Sequence, residues 1–269
     1  MNEPGAFLIA GCQRSGTTLM RLVLECHPEI ECRDEGRSYG VMAGSYHPIR
    51  KRPRLGLKIP CLTEQLLDAT LWDPILLPTT PNRYDGEPIL FLVRDVRDVV
   101  ASMRALRIFG RPWLDAYLEP TLRAKLEQDV RFAARYGTEL SEAAESLHPA
   151  SVRAALSWRY KNDAVAQYGA ANLSLLVVQY EELVSNPRRE LARVCTFLGL
   201  PWDDALLTHD RQRHGELDAK GLAIGGTDPR RAIDRHSVGE HSLTASEVND
   251  VLCAAGGLQR ELYPDLELR

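Results

Sequence analysis

Short apolar runs alternate with amphipathic stretches along this chain. Phe7-Leu8-Ile9-Ala10 is a continuous apolar run ending in Gly11, and the next periodic stretch, Thr17 to Glu25, places Leu19, Leu22 and Val23 at helical spacing. His27-Pro28 closes that helix, because proline disfavours helical geometry in the residue before it. A second strand is predicted through Gly56-Leu57-Lys58-Ile59. The third, Ile89-Leu90-Phe91-Leu92-Val93, is apolar throughout, as in a strand buried on both faces. A helix from Val96 to Leu106 follows at once. Leu173 to Val178 reads as a fourth strand. After Asn186-Pro187, Arg189 to Phe197 is helical, ended by Gly199 and Pro201. The last helix is expected over Ala245 to Ala255.

Strand, loop and helix in succession predict an α/β fold, a central parallel β-sheet flanked by helices. The stretch 107–170 has helical, polar-rich patterning and is expected to be an inserted helical cover. Residues 203–242 are polar and irregular, a length of loop that compact domains usually reserve for function. The whole of 1–269 is expected to form one domain.

Composition narrows the classes. With 33 basic against 37 acidic residues the formal charge is −4, so bulk electrostatics do not suit nucleic acid. No apolar run reaches the roughly 20 residues of a membrane span, and the opening stretch has no basic leader, so no membrane partner and a cytoplasmic location are expected. The six cysteines show no C-x-x-C pair and read as reduced, mostly buried small hydrophobes. The histidines His209, His214, His236 and His241 have spacings unlike the i, i+4 zinc arrangement, and no metal is expected.

The candidate chemistry sits after the first strand. Gly11-Cys12-Gln13-Arg14-Ser15-Gly16-Thr17-Thr18 has the G-x-x-x-x-G-x-T spacing of a phosphate-binding loop (P-loop). Glycines let successive N–H groups turn toward one anion, and the helix behind adds its positive dipole end. Thr17 stands where nucleotide triphosphatases carry lysine, which argues against hydrolysis of ATP or GTP.

These residues resemble the sulfotransferases that use 3′-phosphoadenosine 5′-phosphosulfate (PAPS). Gln13-Arg14-Ser15-Gly16-Thr17-Thr18 matches the family's P-[KR]-S-G-T-T at all but the first position, and Leu19 to Ile30 is similar to the tyrosylprotein sulfotransferase branch. Arg94 and Ser102 have the spacing of the family's second signature. Tyr180-Glu181-Glu182-Leu183, Asn186-Pro187 and Phe197-Leu198-Gly199-Leu200 resemble its Y-E-D-L, N-P and F-L-G-L run. The resemblance implies a P-loop nucleotide-binding fold with PAPS as donor and 3′,5′-bisphosphoadenosine (PAP) as product. Arg14, Ser15, Gly16, Thr17, Thr18, Arg94, Ser102, Tyr180 and Arg235 are the implied nucleotide ligands. Ser102 lies about two helical turns beyond Arg94, so the two meet one phosphate only if Arg94 folds back.

For catalysis the resemblance implies Arg14 beside the 5′-phosphate and the transferring sulfonate, and Lys58, in a K-x-P element, on the leaving oxygen or the sulfonate. Glu35, in Arg33-Asp34-Glu35-Gly36-Arg37, is the implied base, with Asp34 in reserve; histidine is the base in other branches, which keeps His27, His47 and the late-loop histidines as further candidates. The late R-K-G-x-V-G-D-W motif survives only as Arg235, Val238 and Gly239, with Arg230 and Arg231 upstream as substitutes. The acceptor is expected to be a small-molecule alcohol or phenol, or a tyrosine in a peptide. Two other readings stand beside this one: a P-loop small-molecule kinase, and a non-catalytic binder of 3′,5′-bisphosphate nucleotides.

Overall fold

The computed structural model of the chain describes residues 5–49, 51–73, 77–108, 110–144, 148–234, 239 and 242–264. Five strands form one sheet: β1 (Ala6–Gly11), β2 (Ile30–Arg33), β3 (Arg54–Lys58), β4 (Ile89–Val93) and β5 (Leu175–Gln179). Their spatial order is β2-β3-β1-β4-β5, and every neighbouring pair is parallel. The central strand β1 pairs Phe7 with Gly56 on one side and Ile9 with Leu90 on the other.

Its six residues are all buried because side-chain alternation feeds two cores. Phe7 and Ile9 pack with Met20, Val23 and Leu24 of α1 (Thr17–Glu25) and with Leu191 and Val194 further along. Leu8 and Ala10 face the opposite layer. That layer contains α2 (Glu35–Ala43), α3 (Val96–Ala105) and the helices of the cover.

The cover comprises α4 (Glu119–Gln128), α5 (Val130–Ala144), α6 (Ala150–Asn162) and α7 (Ala164–Ala170). Trp158 and Tyr160 of α6 are buried in the core, and Trp158 Nε1 donates to the Arg94 carbonyl at 2.9 Å. After β5 come α8 (Tyr180–Ser185) and α9 (Pro187–Leu198), the latter opening on proline and ending at Gly199 with φ 65°. The chain closes with α10 (Ala245–Ala255) and α11 (Leu258–Leu262).

The structure adds elements to the sequence reading. Ile30–Arg33 is an edge strand, too short for its alternation to stand out. Thr70–Asp73 and Leu77–Pro81 form an antiparallel pair, and a two-residue pair, Arg107–Ile108 with Arg111–Pro112, opens the region expected to be wholly helical. The late segment holds short 3-10 turns at Asp204–Arg211 and Ile224–Gly226. Among the described residues no helix is long and apolar enough to cross a membrane.

Candidate functional site

The loop between β1 and α1 is the centre of the site. Gly11 has φ 133°, and a Cβ there would lie 2.3 Å from the Leu92 carbonyl oxygen, so only glycine lets β1 turn beside β4. Thr63 holds the same residue from the other side. Its Oγ1 accepts from the Gly11 N–H at 2.9 Å and donates to the Gly11 carbonyl at 3.0 Å. Gly16 caps α1 with φ 96°, and a Cβ there would strike the Tyr180 ring at 2.5 Å. The first turn of α1 therefore presents its N–H groups at the loop's edge.

Four segments distant in sequence meet here. Arg14 Nε donates to Ser102 Oγ at 2.8 Å, its Nη1 to the Gly225 carbonyl at 2.9 Å, and its own carbonyl accepts from Arg94 Nη1 at 3.2 Å. Arg94 folds back over Tyr180, with its Cζ 4.4 Å from the ring centroid, and pairs with Asp98 at 3.7 Å. Burial and the neighbouring Arg94 charge push the Arg14 guanidinium pKa downward. A site that crowds cations in this way suits an anion.

Arg14, Arg94, Asp98, Ser102 and Tyr180 line a cavity of about 510 Å³ together with Gly16, Thr17, Thr18, Ala101 and, from the late segment, Gly226 to Asp228 and Arg231. The volume lies within the range of nucleotide-sized ligand sites, roughly 300–1,000 Å³. Ser15 Oγ is buried in the loop and has no hydrogen-bond partner among the described residues. An unused hydroxyl in a cradle of N–H groups fits the oxygens of a phosphate or sulfonate.

Lys58, Glu35 and Thr18 form a second group. Lys58 is 1% exposed; its Nζ donates to Thr18 Oγ1 at 3.0 Å and pairs with Asp34 Oδ1 at 2.8 Å and Glu35 Oε1 at 2.9 Å. Asp34 caps α2, its Oδ1 accepting from the Glu35 N–H at 2.9 Å. The late segment reaches this group through Glu216, whose carboxylate accepts from the Asp34 N–H at 2.5 Å and from Arg37 Nη1 at 3.0 Å.

The expected ligands Arg14, Ser15, Gly16, Thr17, Thr18, Arg94, Ser102 and Tyr180 thus converge on one loop. Glu35 and Lys58 meet beside Thr18 but are absent from the cavity lining. Arg14 reaches across to Ser102, a placement the loop sequence does not reveal. Arg235 lies outside the described residues. Sequence reasoning missed Thr63, which carries no motif, and Glu216, whose only signal is an acidic side chain in a Gly-rich stretch.

This geometry is that of a parallel α/β fold whose first strand-to-helix loop opens on a cavity lined by several cationic side chains. The model of the sulfotransferase family matches residues 86–204. Protein-tyrosine sulfotransferase 2 of Gallus gallus is 27% identical over 241 residues, covering 87% of this chain and 60% of that protein. For protein-tyrosine sulfotransferase 1 of Danio rerio the figures are 28% over 234 residues, 84% and 61%. Over residues 86–204 the chain is similar to the sulfotransferase family, and it spans about three-fifths of the length of these curated relatives. The fold is shared with the sulfotransferase domain of the Synechococcus PCC 7002 olefin synthase (TM-score 0.56, 19% identity, 98% of this chain and 96% of that one). Mouse sulfotransferase SULT7A1, crystallised with PAP, gives a TM-score of 0.53 at 13% identity, covering 98% and 90%.

Proposed function

We propose that this chain is a PAPS-dependent sulfotransferase that moves a sulfonate group to an acceptor hydroxyl. The observation that carries the reading is the meeting of Arg14, Arg94 and Ser102 at one cavity, with Lys58 and Glu35 bridged to it through Thr18. The donor, when bound, supplies the activated sulfonate and the bisphosphate leaving group. Ser15, Gly16, Thr17 and Thr18 hold the 5′ end through N–H groups and hydroxyls, while Arg94 and Ser102 hold the 3′-phosphate. Tyr180 keeps the Arg94 guanidinium in place from behind.

Arg14 touches both halves of the site and neutralises charge between them. Lys58 faces the transferring group, held in readiness by two carboxylates. Glu35 takes the acceptor's proton. The acceptor is an alcohol or phenol, free or as a tyrosine side chain; the names of the curated relatives support the last.

Thermal unfolding with PAP, with ADP, and with ATP plus Mg²⁺ tests the donor site. At a hundredfold excess over the dissociation constant, specific binding adds about 2.7 kcal/mol. For a domain near this size that raises Tm by roughly 5–10 °C. A shift with PAP alone supports the reading, and a shift with ATP and Mg²⁺ alone replaces it with a kinase. Sulfonate transfer from labelled PAPS to a phenol then separates an enzyme from a non-catalytic binder.

A further inference from the structure

The phosphate loop carries one side chain that the donor does not use. Where the family pattern has proline, this chain has Gln13, a residue only 8% exposed. Its Nε2 donates to Cys61 Sγ at 3.1 Å, while Oε1 is buried with no hydrogen-bond partner among the described residues. A buried amide oxygen left unpaired is costly, and a ligand donor removes the cost.

Its surroundings say which ligand. Gln13 and Cys61, like the fully buried Ser15 and like Glu35 and Lys58, do not line the cavity beside Arg14. They stand with the base instead. The Cys61 N–H donates to the hydroxyl of Tyr39, one turn beyond Glu35 on α2, at 3.1 Å. Burial, and next the Glu35 charge, push the Cys61 thiol up to about 12. In-line transfer places acceptor and leaving group on opposite sides of the sulfur. On the sulfotransferase reading the Glu35 side of the loop is the acceptor's, and Gln13 is connected to that side through Cys61 and Tyr39. An amide oxygen accepts hydrogen bonds and repels sulfonate oxygens, so its partner is a donor group on the acceptor.

We infer that Gln13 is a specificity-determining residue that selects acceptors carrying a second hydrogen-bond donor beside the reacting hydroxyl, as in a catechol. The inference rests on the sulfotransferase reading and adds the acceptor's class to it. One hydroxyl faces Glu35 while its neighbour donates to Gln13 Oε1.

The test is calorimetric titration of catechol and of phenol into PAP-saturated protein, wild type and Gln13→Met. Wild type is expected to bind catechol about ten- to a hundredfold more tightly than phenol, the span of one buried hydrogen bond. In Gln13→Met, which keeps the side-chain length and loses the amide, the ratio falls toward one. Equal affinities in PAP-bound wild type, binding of neither compound, or an undiminished ratio in Gln13→Met overturns the inference and leaves the donor site standing. Failure of wild type to bind PAP at all removes both readings together. The wild-type comparison needs no variant, so a folding defect in Gln13→Met does not rescue the idea.

Discussion

Replacing Glu64 with glutamine exposes what holds the phosphate loop from behind. Glu64 Oε1 pairs with Lys125 Nζ at 2.6 Å and Oε2 with Lys161 Nζ at 2.7 Å, and all three side chains are at most 5% exposed. One carboxylate therefore neutralises two buried ammonium groups. Burial alone raises its pKa, but Lys125 and then Lys161 overcome that and hold it at about 2. Glu64→Gln leaves both ammoniums without a counter-charge, a change that costs about 3–5 kcal/mol. For a protein of this size the Tm falls by roughly 6–20 °C. Urea unfolding at pH 7 measures the loss. Glu64→Leu combined with Lys125→Met and Lys161→Met removes the charges together and is expected to recover most of the stability. The pH dependence has a definite sign. The folded pKa is depressed, so the contribution is full above about 4.5 and disappears as pH falls toward about 2; Glu64→Gln lacks that component. A change within about 1 kcal/mol for Glu64→Gln, or a triple variant as unstable as the single one, refutes the reasoning.

Other expected outcomes follow from the same geometry. Glu35→Gln retains the affinity for PAP, read by calorimetry, and loses sulfonate transfer; normal turnover removes Glu35 from the role of base. Gly16→Ala places a Cβ in the Tyr180 ring at a φ of 96°, costing about 1–3 kcal/mol, and its PAP affinity drops by more than about tenfold. Glu216→Ala frees the Asp34 N–H and Arg37, so kcat falls while PAP affinity, measured on the same protein, stays within a few-fold.

The sheet and its loop were legible because each rests on local pattern. Thr17–Glu25, Ile89–Val93 and Ala245–Ala255 fall where periodicity placed them, since a buried strand or an amphipathic helix writes its environment into consecutive residues. Ile30–Arg33 escaped because four residues with Glu31 and Arg33 among them do not announce an edge strand. Side-chain meetings across the fold escaped for a different reason. Nothing near Arg14 says that its guanidinium reaches Ser102, 88 positions away. Glu64, in Leu62-Thr63-Glu64-Gln65, reads as an exposed loop carboxylate until α4 and α6 bring a lysine to each of its oxygens. Local pattern fixes which elements exist, while long-range packing decides which charges face one another.

The late segment shows why the two halves of the site work as a unit. Its Gly225 carbonyl accepts from Arg14, its Gly239 N–H donates to Asp98, and Glu216 binds the N-terminus of α2 beside Glu35. Next to Glu216, His214 faces Glu25 at the end of α1 at 3.3 Å. Glu216 adopts φ 55°, a conformation a non-glycine residue keeps only when its surroundings over-determine it. Here two hydrogen bonds to α2 supply that determination. The segment is thus fastened to the cation cluster through Gly225 and to the helix that carries Glu35 through Glu216, which holds the two groups of side chains in one framework.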